Sequence, residues 1–451
     1  MQERNKPTQK YAQANKGKKA YNANVNAKHA PRTQVQSNSE ILITRRRLLL
    51  GVLGAGVLAG VGAGATALVT NMQSNSPTID TLKVPTSAVT NATSLVQAEN
   101  PLDYVSQAGE YELDYGTLLF CTDANIAACL MPADSAKPLS KVGILNLQTG
   151  NCVTVLNKAQ GQKNGFEIYD VRATSSGILW TEVSIIDGVW NIYTANFNSD
   201  KSSVSNITKL DEGSCAEFET PSIAVCGKSA FWQVMSAAND NASASSQTYN
   251  LKRATLGSSD VQTVHSAAGR AASPLYSADG CVVITPRCPD STQYYELTRI
   301  SESGQVAETL TLPSAMKPLE AAWGTSGFAF SFSATYNYGD GIANLGTYTP
   351  TTIPSSNYSS AKWVRFDKTP TCAPAWAGDY FLVKSTKAVC GVNAREGFYF
   401  VLDIDNGTDD WGMWLASSGT NDTFVTYSNI NYTPISGDAQ KCCRVKIWKV
   451  L

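Results

Sequence analysis

Histidine is nearly missing from this chain, with His29 and His265 the only two in 451 residues. That number excludes metal sites built from several imidazoles. It also leaves His265 alone to serve any Ser-His-Asp or Cys-His arrangement in the folded part. His265 sits in an apolar-polar alternation, Val261-Gln262-Thr263-Val264-His265, that reads as an outer strand rather than a pocket wall. No Gly-rich phosphate loop, CxxC pair or sialidase-type Asp-box is present. Cysteine is absent from the first 120 residues, and all eleven fall from Cys121 onward. Helical periodicity is nearly absent too, and charged residues make up only 16% of the chain. A catalytic or nucleotide-binding assignment therefore has no motif to stand on.

One long stretch lacks charge altogether. Leu48 to Thr70 holds no charged residue in 23 positions, enough helix for roughly 35 Å against a bilayer core of about 30 Å. Six glycines keep it only moderately hydrophobic. Ahead of it, residues 1–47 carry eleven Lys and Arg against Glu3 and Glu40, leaving 25 basic and 35 acidic residues for the rest. This asymmetry predicts a basic arm on the cytoplasmic side and an acidic domain outside. Residues 1–44, poor in large aliphatics, should not bury enough surface to offset chain entropy, so a disordered arm is expected. It lacks the aromatic interleaving and fold of a nucleic-acid binder. Residues 45–70 form the signal or membrane anchor, and residues 71–91, rich in Ser, Thr and Pro, a linker.

Thr44-Arg45-Arg46-Arg47-Leu48-Leu49 resembles the twin-arginine export signal, with Arg45 and Arg46 as the pair. The resemblance implies export and says nothing of activity. Ala65-Thr66-Ala67 fits a small-x-small cleavage site. Two outcomes stay open: retention in the cytoplasmic membrane through residues 48–70 with the C-terminal domain outside, or secretion after cleavage near Ala67.

Residues 92–451 are too many for one ordinary core and show a repeat. A glycine precedes a short apolar strand at Gly116, Gly177, Gly227, Gly280, Gly327 and Gly378, spaced 61, 50, 53, 47 and 51 residues apart. One further step lands on Asn429, before Ile430-Asn431-Tyr432. Four short strands recurring every 50 residues predict an all-β, seven-bladed β-propeller. Tyr276-Ser277-Ala278-Asp279-Gly280 resembles the Ser-Pro-Asp-Gly turn of TolB-like and WD40-like propeller repeats. The last unit ends on its third strand, so Ala92 to Val96 is expected to add the missing outermost strand, ahead of an innermost strand at Tyr111-Glu112-Leu113.

The candidate site residues follow from this frame. Trp323 and Trp376 fall on innermost strands near the channel, where they could stack on a sugar or peptide. Asp403, Asp405 and Asp409 resemble a calcium loop of the Asp-x-Asp-x-Asp-Gly type, with a hairpin turn as the plain alternative; no other cofactor is expected. Strand edges bring Cys372 to Cys390, and in a second pairing Cys215 to Cys288, as candidate disulfides. The reading that results is a non-catalytic binding or scaffolding propeller for a cell-envelope glycan or protein. The alternative is a glycosidase or lyase using Glu112, Asp114 and Glu320.

Overall fold

The computed structural model describes residues 79–451, except 136, 200, 240–241, 315, 333–345, 352–356, 367–371 and 434–438. The basic arm, the twin-arginine motif and the apolar run at 48–70 lie outside the described residues. No helix among the described residues is long and apolar enough to cross a membrane.

The protein is an all-β propeller. Its described strands fall into seven sheets, numbered here in chain order. Sheet 1 spans 118–156, sheet 2 167–214, sheet 3 222–268, sheet 4 276–311, sheet 5 320–366 and sheet 6 375–401. Each of these six is an antiparallel set of four made from one continuous segment, its strands taken in chain order from the inside out. Sheet 4 carries one further short hairpin strand, Arg287–Cys288. Seven alike blades are therefore not what forms. Sheet 7 is composite: three strands from 414–450 pair with an outermost strand, Val105–Asp114, from the other end of the chain.

Strands form where Val, Ile, Phe, Trp and Tyr cluster between turn residues, and burial on both faces keeps the second strands mostly apolar. Gly177–Ser184 is buried at all eight positions, and Gly327–Phe332 at all six. The core lies between sheets as layers of alternating side chains. Leu118, Ile144, Trp180 and Ala195 fill the layer between sheets 1 and 2. Trp190, Ile223 and Trp232 fill the next, between sheets 2 and 3. The layer that joins sheet 7 back to sheet 1 holds Leu119, Cys129, Trp414, Val425 and Cys443.

Ring closure differs from the sequence expectation. Ala92–Ser94 is a single 3-10 turn, and Tyr111 to Leu113 lie on the outermost strand of sheet 7, opposite Val445 to Cys443. The closing strand alternates polar and half-buried residues over ten positions, which suits an edge with one covered face. Unit one is consequently shifted by one strand: Leu118–Phe120 is innermost, and Ile126–Pro132 is the second strand. The turn before that second strand is Asp123-Ala124-Asn125, without glycine, which explains the anomalous first spacing of 61. Asn429 likewise lies inside the strand Thr423–Tyr432 and not in a turn. In sheet 6 the third strand is Val389–Asn393 and the fourth is Phe398–Val401.

Before closing the ring, the chain runs along its outside. Leu82 and Val84 are buried in the layer between sheets 4 and 5. Val89–Asn91 then adds in parallel to Trp363–Phe366 of sheet 5. Val96–Gln97 adds in parallel to Phe398–Val401 of sheet 6. Folded structure thus begins before residue 92, within the segment that composition assigns to a linker.

Candidate aromatic and acidic cleft

In a propeller of antiparallel sheets, the segments joining the fourth strand of one sheet to the first of the next open on one face, beside the turns between second and third strands. On this face a cleft of about 620 Å³ lies between Tyr115 and the segment Gly407 to Trp411, with Asn431 at its side. Tyr115 belongs to the tight connection from sheet 7 to sheet 1. Gly407 to Trp411 belong to the long connection from sheet 6 to sheet 7.

Local hydrogen bonds set the shape of the long connection. The Thr408 hydroxyl donates to the Asp405 carbonyl at 2.7 Å, and the Asp409 amide donates to the Asn429 carbonyl at 3.0 Å. The Trp411 amide donates to the Asp409 carboxylate at 2.9 Å. Gly412 holds φ of +71° with its Cα against the Lys387 backbone, where an added Cβ would fall 2.1 Å from the Lys387 carbonyl oxygen; only glycine meets both demands. Trp411 is 37% exposed and stacks on Trp414 with centroids 6.4 Å apart. Asp410 is exposed and pairs with Lys387 at 3.3 Å.

A buried cation holds this loop from below. Lys384, 2% exposed, donates to the carbonyls of Trp411 at 2.6 Å and Met413 at 2.7 Å, with its Nζ 4.9 Å from the Trp414 ring centroid. Burial pushes its ammonium below the ordinary lysine range. Sheet 2 uses the opposite charge for the same purpose. Buried Glu182 accepts from the Gln160 and Gly161 amides, at 2.6 and 2.9 Å, and from the Trp180 indole at 2.9 Å. Sequence reasoning missed both residues. Their signal was a single charge inside an otherwise apolar strand, as in Tyr380-Phe381-Leu382-Val383-Lys384.

The sequence-derived candidates are placed as follows. Asp403 is exposed, and Asp405 is taken up by Lys446 at 2.6 Å and Arg444 at 3.9 Å. Asp409 turns its carboxylate to the Trp411 amide. No three His, Cys, Asp or Glu side chains gather as metal ligands among the described residues. Trp376 is buried and donates to the Ser326 hydroxyl at 2.9 Å. Trp323 is half-buried, donates to Glu308 at 3.1 Å and lies under the Arg299 guanidinium at 4.2 Å. Both Trp are therefore engaged between sheets. Glu112 and Asp114 occupy the outermost strand of sheet 7, paired with Arg444 and Lys141, whereas Glu320 opens the innermost strand of sheet 5. The three do not meet. Burial raises the Glu320 carboxyl to about 8, and its Oε2 has no hydrogen-bond partner. His265 lies on an outer strand, edge-on to Tyr249.

All eleven cysteines are free thiols, so neither predicted disulfide forms. Side-chain alternation is the reason for the first pair. Cys372 packs with Ala375, Ala377 and Leu382 on the face of sheet 6 toward sheet 7. Cys390, on the third strand, packs with Trp376, Phe381 and Val383 on the opposite face. In the second pair, Cys215 packs in the layer between sheets 2 and 3, while Cys288 is tied into the hairpin of sheet 4.

A second patch of opposite sign lies on the same face. Arg270, paired with Glu219, and Arg287, stacked over Tyr295 at 3.7 Å, stand close enough to Lys317 to lower its ammonium further, after burial.

No family model matches this chain, and no curated protein sequence does. Solved structures similar to it include a prolyl endopeptidase at 11% identity and TM-score 0.44, covering 75% of this chain and 46% of that one. TolB from Acinetobacter baumannii is similar at 11% identity and TM-score 0.34, over 63% of each chain. The β-propeller domain of the Trilobed protease from Pyrococcus furiosus is similar at 10% identity and TM-score 0.35, covering 61% of this chain and 97% of that one. The chain thus spans about half the length of the first of these.

Proposed function

We propose that this protein is a non-catalytic binding propeller, a single ring of seven blades, exposed outside the cytoplasmic membrane, whose cleft takes a hydroxyl-rich glycan of the cell envelope. The observation that carries the proposal is Trp411. It is a large aromatic face left 37% exposed, held by buried Lys384, and flanked by Tyr115, Asp409, Asp410 and Asn431. An aromatic plane beside carboxylate and amide acceptors matches the apolar face and hydroxyl edge of a sugar ring. The blade count rests on the composite sheet 7, whose packing on sheet 1 closes the circle. The outward location rests on the charge asymmetry about residues 48–70.

A glycosidase would need two carboxyl groups about 5–10 Å apart. Glu112 and Asp114 lie on the outermost strand of sheet 7 and Glu320 on the innermost strand of sheet 5, so the three form no such pair, which favours the binder. Titrating the protein with soluble envelope oligosaccharides, by calorimetry and tryptophan fluorescence, tests the reading. Trp411→Ala should weaken binding at least about tenfold, or 1.4 kcal/mol, with the fold unchanged. Saturable binding that ignores Trp411→Ala would remove this cleft as the site. Release of reducing ends would show an enzyme instead. Protease accessibility of the domain on intact cells tests its outward location.

A further inference from the structure

A sulfur-lined notch opens where sheet 1 meets sheet 7. Cys129 stands on the second strand of sheet 1 and Cys152 on the fourth. Gly143, on the strand between them, lies opposite Cys129. Strands two apart have backbones about 9–10 Å apart, and an ordinary residue between them would separate the two thiols. Gly143 leaves that space open: an added Cβ would fall 2.8 Å from Cys152 Sγ, 2.7 Å from Met131 Cε and 3.1 Å from Met131 Sδ. Cys152 Sγ therefore leans over the glycine, 3.9 Å from Met131 Sδ, in the packing layer that Cys129 and Met131 share. Cys129 and Met131 are buried. Cys152 is half-buried and lines a cleft of about 400 Å³ together with Met131, Lys141, Glu112, Asp114 and Cys442.

The strand spacing rules out a disulfide here, since bridged Cα atoms must lie within about 7 Å. It suits a bridging atom. Around a trigonal metal with bonds of about 2.3 Å, sulfurs stand about 4 Å apart, close to the 3.9 Å between Cys152 and Met131. We propose that Cys129, Cys152 and Met131 form a site for a soft monovalent metal ion, copper(I) in class. Two thiolates and a thioether select such an ion over hard cations. Zinc prefers four ligands, and the third ligand here is a weakly donating thioether.

Binding forms three metal–sulfur bonds and releases the two S–H protons to solvent. The site is left with one net negative charge, in a cleft where Lys141 is paired with Asp114 at 3.4 Å.

The full chain, reduced and held under anaerobic conditions, would be titrated with copper(I) against a chromophoric copper(I) chelator. One tight equivalent is expected, with three sulfur neighbours by X-ray absorption. Cys152→Ser should abolish that equivalent, and Cys215→Ser, at another half-buried thiol, should leave it intact. Met131→Leu conserves volume and should keep the fold, yet weaken binding by more than the roughly 10–100-fold typical of residues that only support a ligand. Gly143→Ala, which fills the gap, should do the same. Unchanged affinity in Cys152→Ser would overturn the site. If that variant fails to fold, Met131→Leu decides, and an unaltered affinity and sulfur count there would equally overturn it.

Discussion

Single residues carry most of the polar strain in this apolar ring. Glu320 is half-buried, its Oε2 lacks a partner, and its carboxyl is raised to about 8. The unfolded chain would ionise this group near the ordinary glutamate value, about 4.3. Between that pH and about 8 the folded state binds the extra proton, so stability falls as pH rises through this window. Glu320→Gln removes the linkage. It should raise the melting temperature at pH 7, by up to a few kcal/mol of stability, and flatten the decline between pH 4.5 and 8. Chemical denaturation at several pH values checks this; a variant as pH-sensitive as the parent would refute the assignment. The cysteines show the same dependence on local direction. Cys372 and Cys390 are close in sequence, yet alternation turns them to opposite faces of one sheet.

At the scale of elements, loops are fixed by side chains reaching up from the second strands. Lys384 binds two carbonyls of the connection that lines the aromatic cleft. Lys384→Met keeps the length and apolar stem but leaves both carbonyls without that donor. Each buried unsatisfied group costs about 1–3 kcal/mol. The variant should lose stability of that order, show faster amide exchange at 411–413, and bind the cleft's ligand more weakly. Unchanged exchange there would mean that the loop is held by its own turns. The outer strap acts differently. Val89–Asn91 and Val96–Gln97 cover the edges of sheets 5 and 6 with short parallel additions, occupying backbone groups that would otherwise template association.

The whole molecule depends on one long pairing. Val105–Asp114 runs antiparallel to Gln440–Val450 over nearly its whole length, with one irregularity between Gln107 and Gly109. It joins the two ends of the folded chain and brings sheet 7 against sheet 1. Chains beginning at residue 104 and at residue 115 separate its role from that of the strap. The first should melt cooperatively at a modestly lower temperature. The second should lose the cooperative transition or associate through the uncovered edge of Gln440–Val450, seen by calorimetry and light scattering. Equal melting of the two would show that the ring closes without this strand.

The repeat itself was legible in the sequence because a blade is a local object. Its four strands are neighbours in the chain, and glycine marks the turn from first strand to second at Gly227, Gly280 and Gly378, each at positive φ. Asn125 takes the place of such a glycine in sheet 1, and the phase of that unit was lost with it. Composition likewise fixed the two halves of opposite charge. What the tertiary structure alone decided are the matters that join distant segments. Val105–Asp114 pairs with residues more than 300 positions away, and its alternating pattern fits an inner strand as well as an outer one. The cleft forms from Tyr115 and residues 407–411 and 431, which share no motif. The sulfur notch needs Gly143 to stand between Cys129 and Cys152, a juxtaposition set by strand register. Period is written along the chain, whereas closure, register and facing are set only when the sheets pack around the ring.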